Sequence, residues 1–325
     1  HMTKPINWAI LGAGSFARKH MGPAIHAASG AQLVALGTSS PEKAAPFQSF
    51  APNIRVHLNY DDLLADAGVD VVYIPLPNHL HIDWAMKALR AGKHVLVEKP
   101  VAMKAAQIDP LIALRNETGL TCSEAYMIAH HPQWHRVGHM IADGAIGQLR
   151  HVDGIFTYNN PDLTNVRFDP AKGGGSLPDI GVYTIGATRL ATGLDPIEIT
   201  HTDIDYVNDV DITARVSARY DGFTAHWVTS MNTHATQSMT FLGSEGRIRV
   251  TAPFNAGSYG EAQVELTQND GSVRTERWPD FAQYVHQVEA FTAAVCDGAD
   301  FAWSLEDARA TQVVIDAVYA ADAAR

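Results

Sequence analysis

Short apolar runs alternate with amphipathic stretches through the first 124 residues of the chain. After each run, apolar positions recur at the spacing of one helix face, and a glycine or a polar turn ends the stretch. Continuous apolar strands joined by amphipathic helices predict a parallel sheet that is covered on both faces. The predicted strands are 6–11, 31–38, 69–76, 94–99 and 120–125, and the predicted helices are 18–28, 41–50, 60–68, 78–92 and 105–119.

The pattern changes after residue 125, where strand-like runs follow one another at the spacing of hairpins. This half predicts an α+β domain with a large, mostly antiparallel open sheet, one face of which takes the helices. The predicted helices are 131–147, 176–193, 280–298 and 304–324. The predicted strands are 148–159, 196–207, 211–220, 223–231, 238–243, 246–251 and 262–268.

The turn between the first strand and the first helix reads Gly12-Ala13-Gly14-Ser15-Phe16-Ala17, a G-x-G-x-x-A pattern. The first glycine permits a tight turn, the second lets a pyrophosphate approach the backbone, and the small last residue allows close packing of helix on strand. The helix N-terminus also favours an anion. The pattern in this context predicts a Rossmann fold that binds a dinucleotide; a tight turn without a ligand is the alternative. The residues expected beside the cofactor here are Gly12, Gly14, Ser15, Phe16 and Ala17.

Hydroxyl groups and one cation follow the second predicted strand, where an acidic residue of an NAD enzyme would bind the ribose 2′-hydroxyl. Thr38, Ser39, Ser40 and Lys43 suit a 2′-phosphate better than a carboxylate would. We therefore expect NADP as the cofactor, with NAD as the less favoured alternative. Ser40 also has the position of a cap for the helix that begins at Pro41.

Three further strands end in segments that should meet at the ligand-binding edge of the sheet. In one of them, "HVLVEKPVA", an apolar strand ends in an acid, a base and a proline. A lysine at this edge can hold a substrate hydroxyl and share in proton transfer, although it can equally extend into solvent. The sequence does not decide whether the Lys99–Pro100 peptide bond is cis or trans. The residues expected beside the cofactor at this edge are Pro75, Leu76, Asn78, His79, His81, Glu98, Lys99 and Pro100.

Three glycines precede the predicted helix 176–193 in "GGGSLPDIGVY". Asp179 and Tyr183 are four residues apart and therefore share one face of this helix. A carboxylate beside a phenol can orient a sugar hydroxyl and relay its proton, and glycines let a loop pass close to a ligand. The alternative for Asp179 is a capping box with Ser176.

Composition excludes several classes of partner. The formal net charge of −11 argues against a nucleic-acid binder, and no apolar run approaches the length of a membrane span. Two cysteines do not make a disulfide framework, and no basic segment with an apolar core begins the sequence, so we expect a cytoplasmic protein. The histidines at 131, 135 and 139 recur at helical spacing, but no acidic or cysteine ligand accompanies them, and we expect no metal.

Four stretches together resemble the glucose–fructose oxidoreductase/inositol dehydrogenase/rhizopine-catabolism (Gfo/Idh/MocA) family over nearly the whole chain. They are "AILGAGSFA", "IPLPNHLHIDWAMKALRAGKHVLVEKPVA", "HPQWHRVGHMIADGAIGQLR" and "NVRFDPAKGGGSLPDIGVYTIGATR". The most specific pair is "EKP" followed downstream by "GGGxLxDxGxY". The change of pattern divides the chain into a Rossmann domain, 1–124, and a substrate-binding and oligomerisation domain, 125–325. The sheet face that no helix covers predicts a homodimer or homotetramer formed through the second sheet.

The resemblance also implies roles for particular residues. The lysine of EKP contacts the reacting hydroxyl, and the first and last residues of a D-x-x-x-H/Y motif complete the site; these are Lys99, Asp179 and Tyr183. Tyrosine in the last position is similar to the branch with glucose–fructose oxidoreductase, dimeric dihydrodiol dehydrogenase and NADP-dependent xylose dehydrogenases, and it implies Tyr183 as the acid/base. Asn165-Val166-Arg167 resembles that branch's "NIR", near the nicotinamide. We expect Arg167 at the cofactor, and Asn165, Tyr126, Phe156 and Tyr158 at the substrate, with core packing as the alternative for the aromatic residues.

The implied function is NADP-dependent hydride transfer between a small sugar or polyol and the nicotinamide. Oxidation of the C1 hydroxyl of a pyranose or aldose to a lactone is favoured. Reduction of a keto-sugar such as anhydrofructose and oxidation of a trans-dihydrodiol are the alternatives. A non-catalytic regulator that senses a nucleotide or a sugar is a further alternative, against which the set of Lys99, Asp179 and Tyr183 argues.

Overall fold

The computed structural model describes residues 4–325 of the chain. They form two compact units. The first unit contains the residues through His130 together with Ala282–Arg309, and the second contains His131–Phe281 and Ala310–Arg325. The sequence prediction assigned residues 282–309 to the second domain, whereas these residues belong to the first unit.

The described residues contain fourteen strands in two sheets. They are β1 Ile6–Leu11, β2 Ala31–Gly37, β3 Arg55–His57, β4 Val71–Ile74, β5 His94–Glu98, β6 Cys122–Ala125, β7 Leu149–Asn159, β8 Glu198–Val207, β9 Val210–Arg219, β10 Thr224–Ser230, β11 Asn232–Gly243, β12 Gly246–Val250, β13 Ala262–Gln268 and β14 Val273–Trp278.

Nine α-helices accompany these strands in the same part of the chain. They are α1 Gly22–Ala27, α2 Ala45–Gln48, α3 Tyr60–Leu64, α4 His81–Arg90, α5 Asp109–Thr118, α6 Pro132–Ala142, α7 Val182–Thr192, α8 Gln283–Asp297 and α9 Leu305–Ala323. Two of the predicted helices begin in wider π turns, Ala17–Met21 before α1 and Leu177–Gly181 before α7.

The first unit is built on a parallel sheet of order β3-β2-β1-β4-β5-β6. All four residues of β4 are buried, as expected for a central strand that helices cover on both faces. This order is that of a doubly wound dinucleotide-binding sheet, and the predicted Rossmann domain is confirmed. The carboxyl ends of β1, β4, β5 and β6 meet at one edge of this sheet.

Helix α8 belongs to the first unit because its apolar face packs on the amino-terminal sheet. Phe291 lies edge-on to Trp8 with ring centroids 5.5 Å apart, and Val288 is fully buried in the same cluster. The Trp8 indole donates a hydrogen bond to Thr292 Oγ1 at 3.3 Å. The pattern of α8 predicts an amphipathic helix but carries no signal of which sheet its apolar face covers.

The second unit contains an eight-stranded sheet of order β14-β13-β12-β11-β7-β10-β9-β8. Only the pairing of β10 with β7 is parallel, so the prediction of a mostly antiparallel sheet is confirmed. The turn between β8 and β9 uses Asn208 and Asp209, both with positive φ, which are residue types that tolerate this region in tight hairpins. Helix α7 covers one face of the sheet, where the Trp227 indole donates to Thr188 Oγ1 at 3.2 Å.

Association of copies through this sheet stays a prediction.

Within residues 4–325, no helix is both long enough and apolar enough to cross a membrane.

Candidate active site

The glycine-rich turn after β1 has the geometry that a dinucleotide requires. Gly12 has a φ of +107°, which favours glycine, and a Cβ there would make a tight contact of 3.2 Å with Leu76 Cδ2. A Cβ on Gly14 would have no non-neighbouring heavy atom of the described chain within 4 Å, which leaves the backbone open to a pyrophosphate. Ala17 is buried where the helix packs on the sheet, whereas Ser15 and Phe16 are exposed. These residues fit a dinucleotide.

The segment after β2 presents hydroxyl groups at the same edge of the sheet. Thr38 is buried, and its Oγ1 accepts a hydrogen bond from the Ser40 amide at 3.2 Å and lies 3.3 Å from the Ser40 carbonyl. Ser39 and Lys43 are exposed. Ser40 precedes the 3-10 turn Pro41–Ala44, but its side chain makes no capping hydrogen bond to residues in the described part of the chain. The capping role considered for Ser40 is therefore not observed, and contact of this segment with a 2′-phosphate stays a prediction.

His81 connects the segments that follow β4 and β5. The side chain is buried, and its two ring nitrogens each lie 2.7 Å from a backbone carbonyl oxygen, that of Leu76 and that of Pro100. Burial lowers the pKa of His81 to about 4, whereas the hydrogen bonds to the Pro100 and Leu76 carbonyls act in the opposite direction, because both ring nitrogens can donate only when the imidazole is protonated. His79, which was expected beside the cofactor with His81, is exposed.

Successive residues of the EKP motif each have a partner. The Tyr73 hydroxyl donates to Glu98 Oε1 at 2.7 Å, and the Lys99 amide donates to Glu98 Oε2 at 3.0 Å. The Lys99–Pro100 peptide bond is cis, which the sequence had left open. Glu98 thus orients the backbone that carries Lys99.

Glu124, near the end of β6, binds the backbone of the same segment. Its carboxylate accepts hydrogen bonds from the Val101 amide and the Trp303 indole, both at 2.9 Å. Burial raises the pKa of Glu124 to about 7, against the effect of these two donors. Tyr126, expected to line the substrate pocket, is buried and stacks on Trp303 with ring centroids 4.4 Å apart.

In the second unit, Asp179 lies at the centre of a polar cluster. Its Oδ2 accepts hydrogen bonds from the Tyr158 hydroxyl at 2.5 Å and from Arg167 Nε at 3.1 Å. Asn165 Oδ1 accepts from the Arg167 amide at 3.0 Å and so orders the loop that carries the guanidinium. The charge of Asp179 raises the pKa of Arg167, and burial together with that charge raises the pKa of Tyr158. Four residues predicted for the site therefore come together.

Tyr183 lies one helical turn after Asp179, and aromatic rings hold its side chain. The centroid of its ring is 5.4 Å from that of Phe156 and 5.5 Å from that of Phe254, and the two phenylalanine rings stack at 5.0 Å. Only 6% of Tyr183 is exposed. Phe254, which follows β12, was not predicted, because nothing in its local sequence distinguishes it from a core residue.

The capping box of Ser176 and Asp179, which was the alternative to a site role for Asp179, is not formed. The Ser176 hydroxyl donates to Asp211 Oδ2 at 3.0 Å, and the carboxylate of Asp179 is occupied by Tyr158 and Arg167. The glycines before the helix make close approaches to protein atoms: a Cβ on Gly174 would overlap the Arg167 carbonyl, and one on Gly175 would overlap Asp211. Glycine at these positions is therefore explained by the fold itself.

The histidine stripe does not form a metal site in the structure. His131 is buried, whereas His135 and His139 are exposed. Over residues 4–325, no group of three or more histidine, cysteine, aspartate or glutamate side chains is arranged to hold a metal ion.

The two halves of the chain match two family models. Residues 6–126 match an oxidoreductase family with an NAD-binding Rossmann fold, and residues 134–249 match the GFO/IDH/MocA C-terminal domain. The chain belongs to the Gfo/Idh/MocA family of oxidoreductases. The predicted family is thereby confirmed, as is the prediction of an enzyme that uses a nicotinamide dinucleotide.

Similar proteins match over almost the full length. The chain is 33% identical to an uncharacterised oxidoreductase, ORF334, of Rhizobium meliloti, and 32% identical to an NADP-dependent D-xylose 1-dehydrogenase of Haloferax volcanii; each match covers 96% of both chains. A solved 3-ketoreductase of Actinomadura kijaniata, in complex with NADP and TDP-benzene, is 31% identical with a TM-score of 0.90 over 97% of both chains. Structures of that ketoreductase include one variant with a lysine replaced by alanine and one with a tyrosine replaced by phenylalanine.

Proposed function

We propose that the protein transfers hydride between a sugar and NADP, and that it oxidises the C1 hydroxyl of a cyclic aldose to a lactone. The observation that carries this proposal is the arrangement of Asp179 and Tyr183. The carboxylate is oriented by two donors, and the phenol is held by two rings one helical turn further on. A fixed hydrogen-bond acceptor next to a fixed acid/base is what recognition of a polyhydroxylated substrate requires.

NADP is the cofactor that the residues after β2 suit. Thr38, Ser39 and Lys43 offer two hydroxyls and a cation where an NAD enzyme carries an acid. The xylose dehydrogenase and the ketoreductase to which the chain is similar both use or bind NADP. Bound NADP supplies one chemical function, acceptance or donation of hydride at C4 of its nicotinamide ring.

Three side chains act on the substrate in this proposal. Tyr183 acts as a phenolate: its Oη takes the proton of the reacting hydroxyl and becomes the neutral phenol as hydride leaves the same carbon. The role that we assign to the Lys99 ammonium is to stabilise the negative charge that develops on the oxygen of the reacting hydroxyl. Asp179 accepts a hydrogen bond from a second substrate hydroxyl, while the hydrogen bonds from Tyr158 and Arg167 hold its carboxylate in place.

The separation of Lys99 and Tyr183 along the sequence supports this assignment. The lysine and the tyrosine that are replaced in the ketoreductase structures are separated by the same number of residues as Lys99 and Tyr183. Two chains that match over 97% of their length therefore have a lysine and a tyrosine at the same separation, which chance alone would rarely produce. It favours a shared role for the pair.

The similarity to the 3-ketoreductase favours a second candidate, reduction of a nucleotide-linked keto-sugar. The same residues serve this direction: Tyr183 donates its proton to the carbonyl oxygen, and Lys99 holds that oxygen. The two candidates differ in the substrate, which is a free sugar in one and a nucleoside diphosphate sugar in the other.

A substrate panel tests the proposal. Purified protein is incubated with aldoses, keto-sugars, trans-dihydrodiols and a dTDP-linked keto-sugar, each with NADP(H) and NAD(H), and reduced nicotinamide is followed by its near-ultraviolet absorbance. We expect turnover of a free aldose with NADP, and lactone as the product. Turnover only of the dTDP-linked keto-sugar would replace the first candidate with the second. Tight NADPH binding without turnover of any compound would favour a nucleotide-sensing regulator.

The variant Thr38→Asp should shift the cofactor preference toward NAD. A carboxylate repels the 2′-phosphate of NADP and accepts a hydrogen bond from the 2′-hydroxyl of NAD, so the ratio of kcat/KM for NADP to that for NAD should fall about tenfold or more. Thr38→Asn is the matched control, because it has nearly the same shape without the charge. An unchanged ratio in Thr38→Asp would contradict the assignment of this segment to the phosphate.

A further inference from the structure

Asp211 is a buried carboxylate near the start of β9, and it hydrogen-bonds the beginning of the helix that carries Asp179 and Tyr183. We call residues 177–192, the π turn and α7 together, the site helix. Asp211 Oδ2 accepts from the Leu177 amide at 2.8 Å and from the Ser176 hydroxyl at 3.0 Å. Asp211 Oδ1 accepts from the hydroxyl of Tyr319, on α9, at 2.5 Å. Only 2% of Asp211 is exposed.

Three groups in this network donate their hydrogen atoms to Asp211: the Ser176 hydroxyl, the Leu177 amide and the Tyr319 hydroxyl. The Ser176 hydroxyl has one hydrogen, which it donates to Asp211, so in its 2.9 Å contact with Thr229 Oγ1 it is the acceptor. Ser176 and Thr229 are themselves buried. A buried acceptor that receives hydrogen bonds from two hydroxyls and one backbone amide is held in one position, because each donor would lose its partner if the carboxylate moved.

Asp211 therefore performs the task that a local capping side chain performs at other helices. The first amide groups of a helix have no partner within it, and a carboxylate at that end also interacts favourably with the helix dipole. Here the carboxylate comes from a strand 34 residues further along the chain. The room for it is made by Gly175, whose φ is +130° and where a Cβ would overlap Asp211 Oδ1.

We propose that Asp211 and Tyr319 are positioning residues for the reaction, because they fix the start of the site helix and thereby the placement of Asp179 and Tyr183. This inference rests on the proposed function of those two residues. Tyr319 acts through Asp211: its hydroxyl completes the hydrogen bonds of the carboxylate and ties α9 to the site helix. Neither residue is among those to which we assign a contact with the substrate.

Positioning has a kinetic signature. A small displacement of Tyr183 from the reacting atoms lowers the rate of the chemical step steeply, whereas binding of NADP to the first unit does not depend on it. Loss of the Tyr319 hydroxyl should therefore lower kcat about tenfold and leave KM for NADP unchanged. A merely stabilising role would lower the melting temperature without changing kcat per folded molecule.

The experiment compares Tyr319→Phe with Tyr206→Phe. Tyr206 is the control, because its hydroxyl also donates to a carboxylate on α9, that of Asp322 at 3.1 Å, so its single hydroxyl hydrogen is not donated to Asp211. We expect about a tenfold lower kcat for Tyr319→Phe and a value within twofold of wild type for Tyr206→Phe. Hydrogen exchange of the amides at 176–183 should quicken in Tyr319→Phe and not in the control. Equal behaviour of the two variants in both measurements would overturn the proposal.

The double variant shows whether Tyr319 acts through Asp211. Asp211→Asn replaces one acceptor atom with a donor, and kcat should fall further than in Tyr319→Phe. If the two residues form one unit, adding Tyr319→Phe to Asp211→Asn lowers kcat by less than twofold more; effects that multiply would contradict the coupling. The proposed function and the positioning role can be rejected separately. Full activity of Tyr183→Phe would reject the proposed function. Hydrogen exchange at 176–183 would still show whether Asp211 fixes the start of the site helix.

Discussion

Replacement of Tyr183 by phenylalanine is expected to lower kcat about 10²–10⁴-fold, the range that a positioned acid/base contributes. The substitution removes one oxygen atom and leaves the ring, whose packing against Phe156 and Phe254 should hold it where it is. The helix and the aromatic cluster should therefore survive, so that the loss reports on proton transfer. NADP affinity, measured by fluorescence of the bound reduced nucleotide, should not change.

Tyr220→Phe is the control for that experiment. Tyr220 is a buried tyrosine of the same unit, and it stacks on Phe223 with centroids 4.4 Å apart, in a cluster separate from that of Tyr183. We expect its kcat to stay within twofold of wild type. If Tyr183→Phe turned over as fast as Tyr220→Phe, the acid/base would have to be another group, and the proposed chemistry would be rejected.

Replacement of Lys99 by methionine is expected to lower kcat/KM for the sugar about 10²-fold or more. Methionine retains the length of the side chain and removes the charge, so the oxygen of the reacting hydroxyl loses the group that stabilises its negative charge. The backbone at this position is held by hydrogen bonds of the Lys99 amide, the Pro100 carbonyl and the Val101 amide to the side chains of Glu98, His81 and Glu124, and these bonds remain available in the variant. The variant should therefore fold as the wild type does.

Lys104→Met provides the comparison for Lys99. Lys104 is an exposed lysine five residues further along the chain, and its replacement changes the net charge by the same amount. We expect wild-type kinetics for Lys104→Met at every ionic strength tested. A loss in Lys99→Met that was matched by Lys104→Met would show a general effect of charge instead of a role at the reacting hydroxyl.

The first sheet was predictable because its signals are local. Each buried strand is a continuous apolar run, and the glycine pattern lies between the first strand and the first helix. The two strands that were missed have weak local signals. β3 has three residues, and β14, "VRTERW", is a charged edge strand that reads as a polar loop. Their pairing with neighbours, β2 and β13, is what makes them strands.

Candidate residues of the site could be predicted where a motif carries them, as in EKP and D-x-x-x-Y. Their surroundings could not. The sequence predicted Asp179 as a site residue, with a capping box as the alternative, but it did not indicate that the carboxylate binds Tyr158, which is 21 residues away. Tyr126 lay in a motif segment but packs on Trp303, whose position in the chain gives no indication of the contact.

The sequence by itself determined the order of the elements, the dinucleotide fold and the family, because periodicity and turn residues act over a few neighbouring positions. Only the tertiary structure decided that α8 covers the first sheet, that a strand carboxylate caps the site helix, and that Tyr319 reaches that carboxylate from 108 residues further along the chain. Burial leaves each polar group to find a partner wherever the fold brings one within hydrogen-bonding distance. Separation along the chain does not limit that choice, and so no local pattern records it.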